Sequence, residues 1–364
     1  MLFEKGNWHA KMQNENKQTN KILLQALNGE QTEQVPFWLM RQAGRYLPEY
    51  RELRAKREGF LNLVYHPESA SEVTIQPIRR FGMDGAILFS DILVTPQAMG
   101  QDLRFETCEG PRLNPIQTTE DLKKLSIENL DETLSPIYDT VSLTRQKLDQ
   151  EGFTGTALIG FAGSPWTVAC YMVNGKGSKD YQAVKNYAKA NPDDFSELLN
   201  LLVQATIHYL SKQIDAGAEA IQLFDSWSGL LNDEEFEEFV IGPTMKIVSA
   251  IKSKYPSIPV IGFPRKAGSK IAKYALDTKI DALGLDEEAN LDWILDNIPD
   301  HVTLQGNLSN EHLLQGGEIM QKAAKDILDK CSKRPFIFNL GHGVIKETPV
   351  DHVGALTDII RNYK

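Results

Sequence analysis

Arg41 and Arg45 follow the apolar run at 35–40 and stand four positions apart. Two guanidinium groups held at fixed positions bind carboxylate or phosphate, which each grips with paired hydrogen bonds. The same spacing also suits a solvated helix face on which the arginines meet the acidic residues that follow. Gly44 and Pro48 are poor residues inside a helix, so the pattern favours a loop that presents both arginines to an anion.

A lone carboxylate, Asp91, follows a second apolar run at 84–89. Ser90-Asp91 before a turn is also ordinary helix-capping chemistry, which is the structural alternative. The residues that come next, Ile92-Leu93-Val94 and then Pro96, begin a helix poorly. The pattern therefore favours a functional role for Asp91.

Three further polar residues follow apolar runs and have structural alternatives. His342 lies between two glycines, which lets backbone approach closely, although a lone histidine is commonly structural. Tyr171 has helical neighbours that suit a core position, and Ser226 could cap a strand end. These three residues are candidates for a site only if the fold brings their positions together.

The composition excludes several function classes. The formal charge of −10 disfavours non-specific binding to nucleic acid or anionic lipid. Three cysteines without C-x-x-C spacing argue against a disulfide framework or a cysteine-rich zinc site, and the sequence contains no H-E-x-x-H and no G-x-S-x-G. With no signal peptide and no apolar stretch of transmembrane length, a cytoplasmic protein is expected, with neither nucleic acid nor membrane as a partner.

The elements that must position these residues alternate between short apolar runs and longer stretches of helical period. The predicted strands are 35–40, 84–89, 156–161, 219–224, 258–263, 280–285, 301–306 and 335–340. The predicted helices are 67–80, 131–149, 194–214, 233–253, 317–330 and 350–361. Eight such repeats predict an α/β protein, a single (β/α)8 TIM barrel whose active site lies at the carboxyl ends of the strands. A doubly wound open sheet is the alternative, but no G-x-G-x-x-G follows the first strand.

The domain organisation follows from the same pass along the chain. Residues 1–18 are polar and without periodicity, which predicts a loose N-terminal extension. We find no repeat, low-complexity tract or Pro/Ser-rich linker after it. Residues 19–364 are therefore predicted to form one catalytic domain.

Several blocks of the sequence resemble the uroporphyrinogen decarboxylase family. They are PFWLMRQAGRYLPEYRELR, FSDILVTPQAMG, GFAGSPWTVACYMVNGKG, LFDSWSG, LQGNLS and NLGHGV, in the family's order from about residue 20 to the C-terminus. The resemblance implies a (β/α)8 barrel, a homodimer, and a carboxy-lyase that uses neither metal nor organic cofactor. The implied reaction removes the four acetate carboxyls of uroporphyrinogen III and gives coproporphyrinogen III for haem biosynthesis.

The resemblance also assigns expected roles. Arg41 and Arg45 are similar to the family's substrate-carboxylate arginines, and Asp91 to the aspartate that accepts hydrogen bonds from the pyrrole N–H groups. The expected substrate-binding residues are Arg41, Gln42, Ala43, Gly44, Arg45, Asp91, Tyr171, Ser226 and His342. Of these, Asp91, Arg41, Tyr171 and His342 are expected to be catalytic.

Two other functions compete with this expectation. Corrinoid-dependent methyltransferases share the related barrel superfamily and use zinc, which requires a clustered set of His and Cys that this sequence does not suggest. A tetrapyrrole-binding carrier would use the same polar residues only to hold its ligand. Incubation with the substrate separates the carrier from the enzyme.

Overall fold

The computed structural model describes residues 21–106 and 110–364. The extension predicted over 1–18 lies outside the described residues, as does Cys108. In the described part of the chain, the helices and strands follow each other in the alternating order that the apolar pattern predicts.

The strands form one parallel sheet and one small hairpin. Their bounds are β1 Gly85–Ile87, β2 Leu103–Glu106, β3 Gly110–Leu113, β4 Ala157–Gly163, β5 Ala220–Asp225, β6 Val260–Pro264, β7 Ala282–Gly284, β8 Thr303–Leu308 and β9 Phe336–Leu340. The seven-stranded sheet has the order β1-β4-β5-β6-β7-β8-β9, and every neighbouring pair is parallel. β2 and β3 pair antiparallel, with Leu103 opposite Leu113. Seven of the eight predicted strands are therefore confirmed, and the hairpin was not predicted.

The remaining predicted strand, 35–40, forms a single parallel bridge from Phe37 to Phe338 of β9. The amide of Phe338 donates to Pro36 O at 2.9 Å, and the amide of Asp84, just before β1, donates to Phe37 O at 2.9 Å. Other amides of the segment bond to side chains, as Phe37 N does to Asp84 Oδ2 at 2.8 Å. The segment thus lies between β9 and β1 without forming a regular ladder.

The sheet is curled, as a polar contact in its interior shows. Gln305 on β8 donates from Nε2 to Oε1 of Gln222 on β5 at 3.0 Å, and Trp38 Nε1 donates to Gln305 Oε1 at 2.9 Å. Two strands, β6 and β7, separate β5 from β8 within the sheet. Side chains on these strands can meet only if the sheet curves around its interior.

Helices fill the connections between strands. Their bounds are α1 Ile22–Leu27, α2 Pro48–Lys56, α3 Phe60–Val64, α4 Pro67–Phe81, α5 Val94–Ala98, α6 Thr119–Leu122, α7 Leu130–Gln150, α8 Pro165–Asn174, α9 Gln182–Ala190, α10 Pro192–Asp215, α11 Asp233–Phe236, α12 Gly242–Lys254, α13 Lys270–Thr278, α14 Leu291–Asn297, α15 Asn310–Gln315, α16 Gly317–Cys331 and α17 Val350–Arg361. A 3-10 turn covers Ser228–Leu230, and a π-helical stretch at Glu237–Ile241 joins α11 to α12. The six predicted helices are confirmed, one of them divided between α11 and α12.

The sheet is buried on both faces. Every residue of β4, β6, β8 and β9 is buried, so alternate side chains point to the curled interior and to the surrounding helices. α10 contributes an apolar stripe that includes Leu198, Leu199 and Leu202, all buried, and it packs on β4. This burial fixes the strands and therefore the positions of their carboxyl ends.

Candidate active site at the carboxyl ends of the strands

The predicted site residues follow the carboxyl ends of several strands of the parallel sheet. Arg41 follows the segment bridged to β9, Asp91 follows β1, Ser226 follows β5 and His342 follows β9. Tyr171 lies in α8, the helix that begins directly after β4. Because parallel strands in one sheet end on the same side, these residues share one end of the sheet.

Arg41 adopts a strained backbone and lies across a glycine of another strand end. Its φ is 61°, a left-handed conformation that non-glycine residues rarely adopt. A Cβ built on Gly343 would lie 2.2 Å from Arg41 Cδ and 2.6 Å from Cγ. The side chain is exposed to solvent. Surrounding protein atoms nevertheless lower the pKa of its guanidinium through desolvation, while the charge of Asp91 raises that pKa.

Gln42 ties the arginine segment to the sheet. Its side chain is fully buried, accepts a hydrogen bond from Leu39 N at 3.0 Å and donates to Gly85 O of β1 at 2.9 Å. The side chain of Gln42 is therefore occupied by backbone contacts that hold the segment of Arg41 in place, and substrate binding by this residue stays a prediction. Ala43 is half-buried.

The helix-face alternative for the two arginines does not describe the structure. α2 begins at Pro48, after both Arg41 and Arg45, and proline suits this first helical position. Glu49, the acidic residue nearest to them in sequence, accepts a hydrogen bond from Arg80 Nη2 at 3.0 Å. Arg45 is exposed, and its charge lowers the pKa of Arg41.

Gly44 lies between the two arginines and is half-buried. A Cβ at this position would lie 2.8 Å from the carbonyl oxygen of Arg41. A side chain at position 44 would therefore disturb the turn that carries Arg41.

Asp91 combines a local contact with a place beside Arg41. Its Oδ1 accepts a hydrogen bond from Leu93 N at 2.9 Å, which is part of the capping role considered as the alternative. Among the described residues, no hydrogen bond to Oδ2 accompanies this one. Burial raises the pKa of Asp91, while the Leu93 amide and the charge of Arg41 act in the opposite direction. One carboxylate oxygen thus remains available to a ligand.

His342 is half-buried between Gly341 and Gly343. Burial lowers its pKa to about 3, and the positive charges of Arg265, Arg41 and Lys266 contribute to that shift. The imidazole of the ligand-free protein is therefore neutral at neutral pH.

Tyr171 and Ser226 lie on the β4 and β5 side of the site. Tyr171 is half-buried, whereas its helical neighbours Val168 and Met172 are buried in the core. Its ring centroid lies 6.3 Å from that of Trp227. Burial raises the pKa of the phenol, the charge of Asp91 raises it further and that of Arg41 lowers it.

The turn that carries Ser226 is fixed by a buried hydrogen-bond chain. Thr167 donates from Oγ1 to Asp225 Oδ1 at 2.5 Å and accepts from Trp227 N at 3.1 Å. Asp225 is almost fully buried, and burial raises its pKa to about 7. Ser226 is half-buried between Asp225 and Trp227.

The electrostatic contacts connect most of the predicted residues. The charges of Asp91 and Tyr171 raise the pKa of Arg41, and the charge of Arg45 lowers it. The charge of Arg41 in turn lowers the pKa of His342. The structure therefore brings the four residues that we expected to be catalytic into one cluster. Arg265 also belongs to this cluster, since its charge acts on Arg41 and His342. Its position directly after β6 could have identified Arg265 as a candidate from the sequence, but we predicted no role for it.

Within residues 21–106 and 110–364, no group of three or more His, Cys, Asp and Glu side chains is arranged to hold a metal ion. Over the same residues, no helix is both long enough and apolar enough to cross a membrane.

The chain is similar to several known proteins. A family model described as uroporphyrinogen decarboxylase (URO-D) matches residues 18–363. The protein named uroporphyrinogen decarboxylase from Erythrobacter litoralis is 51% identical over 343 residues, which are 94% of this chain and 99% of that protein. The one from Novosphingobium aromaticivorans is 50% identical over 341 residues, which are 94% of this chain and 98% of that protein.

A solved structure shares the fold at low sequence identity. The structure titled methyltransferase from Methanosarcina mazei is 21% identical, has a TM-score of 0.78, and covers 94% of this chain and 98% of its own. This likeness concerns the fold alone. From the family model and the two relatives together, the chain belongs to the uroporphyrinogen decarboxylase family.

Proposed function

We propose that this protein is a carboxy-lyase that removes the four acetate carboxyls of uroporphyrinogen III and releases coproporphyrinogen III in haem and tetrapyrrole biosynthesis. The two relatives named uroporphyrinogen decarboxylase are about half identical to this protein over 94% of the chain. The observation that carries the proposal is the electrostatic interaction between Asp91 and Arg41 at one end of the sheet. One group suits the ring N–H donors of the substrate and the other suits its carboxylates.

The reaction needs an electron sink because decarboxylation leaves an electron pair on carbon. The pyrrole ring can supply that sink. A proton added to the ring carbon beside the acetate arm makes the ring cationic, and the electrons of the breaking C–C bond neutralise it as carbon dioxide leaves. Protonation of the methylene carbon and loss of the ring proton then give a methyl group.

Asp91 stabilises the cationic ring in this scheme. Its free Oδ2 accepts hydrogen bonds from the pyrrole N–H groups, and its negative charge lies close to the charge that develops on the ring. Preorganised interactions of this kind are typically worth roughly 10² to 10³ in rate. The hydrogen bond from Leu93 N fixes the carboxylate before the substrate arrives.

Arg41 and Arg45 attract and orient the substrate. The protein as a whole carries a formal charge of −10, which repels an anion with eight carboxylates. Exposed guanidinium groups at the mouth of the site supply the local positive charge that such a substrate needs. Gln42, Ala43 and Gly44 belong to the same segment, and Gln42 contributes by holding its backbone.

Tyr171, Ser226 and His342 complete the proposed substrate-binding surface. His342 is neutral in the free protein, so it donates or accepts a hydrogen bond there without adding to the positive charge. The proton for the ring comes from Arg41, His342, a bound water or a substrate carboxyl. Arginine is a weak acid, with an ordinary pKa above about 12, so water and the substrate carboxyl are strong rivals.

We further propose that the curled sheet closes into a single (β/α)8 barrel within one domain at 19–364. The segment at 36–38 supports this, because it hydrogen-bonds to Phe338 of β9 and to Asp84 beside β1. Those are the two edges of the seven-stranded sheet. The contact between Gln222 and Gln305 across the interior supports the same closure.

Three properties that the resemblance implies belong to the same proposal: action without a metal or organic cofactor, a homodimeric state and a cytoplasmic location. Metal analysis of the active protein tests the first, and light scattering after size-exclusion chromatography tests the second. Fractionation of the source cells tests the third.

One experiment decides the proposed function. The purified protein is incubated with uroporphyrinogen III under reducing, oxygen-free conditions, and the products are oxidised and separated by chromatography. We expect porphyrins with seven, six, five and four carboxyl groups to accumulate in turn. Binding of the substrate without any loss of carboxyl groups would instead identify a carrier.

A further inference from the structure

Arg265 and Glu287 form an ion pair at the same end of the sheet as the proposed site. Arg265 directly follows β6, and Glu287 lies three residues after β7. Nη2 of the arginine lies 2.6 Å from Oε1 of the glutamate, and the two side chains are only 16% and 19% exposed. Both side chains are therefore largely shielded from solvent, unlike those of the exposed ion pairs on the surface.

The pair leaves hydrogen-bonding groups unused. Arg265 Nε and Glu287 Oε2 are both buried and have no partner among the described residues. Buried polar atoms in folded proteins are nearly always satisfied, and Arg–carboxylate pairs are frequently bidentate. Of these two atoms, the Nε–H of Arg265 is the donor that is left for a further acceptor such as a carboxylate.

The ion pair also contacts the site residues. The charge of Arg265 lowers the pKa of both Arg41 and His342, so the guanidinium lies within electrostatic range of each. The backbone of Glu287 packs on Gly341, the residue before His342: a Cβ built on that glycine would lie 2.1 Å from Glu287 N. Arg265 and Glu287 therefore lie beside the turn that carries His342.

We propose that Arg265 is a further substrate-binding residue, which binds a side-chain carboxylate of the tetrapyrrole, and that Glu287 is a positioning residue that holds the guanidinium. The inference rests on the proposed function, since it requires a substrate with several carboxylates. Eight carboxylates spread around a macrocycle exceed what the segment of Arg41 and Arg45 can bind. A third guanidinium on another strand end extends the cationic surface toward His342.

Steady-state kinetics of matched variants test this role. Arg265→Gln is expected to raise KM at least tenfold and to change kcat less, because the lost contact binds substrate and transition state alike. Glu287→Gln is expected to raise KM by a smaller factor, since the guanidinium remains but loses its anchor. Lys252→Gln is the control, because Lys252 pairs with Asp281 at the same 2.6 Å separation but at the other end of β7.

A second readout separates substrate binding from a structural role. The pKa of His342, measured by NMR in the ligand-free protein, should be higher in Arg265→Gln than in wild type and unchanged in Lys252→Gln. Inhibition by coproporphyrinogen then identifies the carboxylate. Weaker inhibition of Arg265→Gln indicates a propionate that the product keeps, and unchanged inhibition indicates an acetate that the reaction removes.

The inference is overturned by a folded Arg265→Gln variant whose KM is within twofold of that of Lys252→Gln. If Arg265→Gln does not fold by circular dichroism, Arg265→Lys and Glu287→Gln are judged by the same criterion. Turnover by the wild-type protein is measured in the same assay. A wild type that decarboxylates while these variants keep a normal KM contradicts the role of Arg265 alone, whereas a wild type without turnover contradicts the proposed function.

Discussion

The side chain of Arg41 crosses Gly343 so closely that a methyl group on the glycine would overlap it, with 2.2 Å between the built Cβ and Arg41 Cδ. The overlap involves the middle of the side chain, which cannot move away without moving the guanidinium. Gly343→Ala is therefore expected to misplace the guanidinium while the fold remains intact. Misplacement of about 1 Å can cost roughly 10²-fold in rate, so kcat/KM should fall by about that factor.

The control for this substitution is Gly354→Ala. Gly354 lies within α17, and a Cβ there has no neighbour within 4 Å. Alanine in a helix interior is more stable than glycine by roughly 0.5–1 kcal/mol, so this variant should keep full activity and melt slightly higher. Full activity in Gly343→Ala would show that Arg41 needs no fixed position.

Asp91→Asn removes the negative charge and keeps the local hydrogen bond. The asparagine oxygen can still accept from Leu93 N, so thermal stability should stay close to that of wild type. The rate of the first decarboxylation should fall by roughly 10² to 10³ because the cationic ring loses its partner. Asp102→Asn, on an exposed residue that pairs with Arg104, should leave the rate unchanged. A normal rate in Asp91→Asn would remove the electrostatic role from this residue.

Arg41→Lys and Arg41→Gln separate charge from geometry. If positive charge alone binds the substrate, lysine should retain most of kcat/KM and glutamine should lose it. If the paired hydrogen bonds of the guanidinium are needed, both variants should lose activity to a similar degree. We expect kcat/KM of Arg41→Lys to lie between that of wild type and that of Arg41→Gln, and nearer to that of Arg41→Gln. The reason is that the backbone at φ 61° fixes the direction of the side chain, and lysine cannot reproduce the geometry of the guanidinium. Single-turnover rates and substrate binding, measured separately, decide between these outcomes.

His342 should destabilise the protein in acid. Its pKa is about 3 in the folded state, whereas an unfolded histidine titrates near about 6.5. Between these values the unfolded chain binds a proton that the folded protein does not, so stability is lost as the pH falls through this window. His342→Asn should lose less stability than wild type from pH 6.5 to 4 in urea titrations. An equal loss in both proteins would contradict a neutral, half-buried imidazole.

Asp225 should have the opposite dependence on pH. Burial raises its pKa to about 7, well above the ordinary value for aspartate. Between about pH 4 and 7 the folded protein keeps a proton that the unfolded chain has lost, so stability falls as the pH rises. Asp225→Asn keeps the acceptor for Thr167 and does not titrate. The variant should therefore gain stability relative to wild type across this window, by a few kcal/mol at most.

The sequence predicted the regular elements well because their signals are local. Apolar runs and helical periods predicted seven strands and six helices of the fold. The segment at 35–40 departs from this pattern because its amides bond to side chains of Asp84, Gln42 and Asn339, which an apolar run does not reveal. The β2–β3 pair was not predicted because each strand has only four residues and contains polar side chains, so neither forms a recognisable apolar run.

The positions of the candidate residues at the strand ends were predictable, but their side-chain contacts were not. The rule that chemistry follows strand ends located Arg41, Asp91 and His342 correctly at one end of the sheet. It could not tell that the side chain of Gln42 faces inward, since that depends on the carbonyl of Gly85. Nor could it reveal that Arg265 bonds to Glu287, because that contact joins two strand ends 22 positions apart.

The segment that carries Arg41 is anchored by a residue of β9, which is distant in the sequence. Asn339 on β9 accepts hydrogen bonds from Met40 N at 2.9 Å and from Leu340 N at 2.7 Å, so one amide oxygen secures the residue before Arg41. Loss of this amide, which is 299 positions from Met40 in the sequence, is therefore expected to loosen the backbone that carries Arg41.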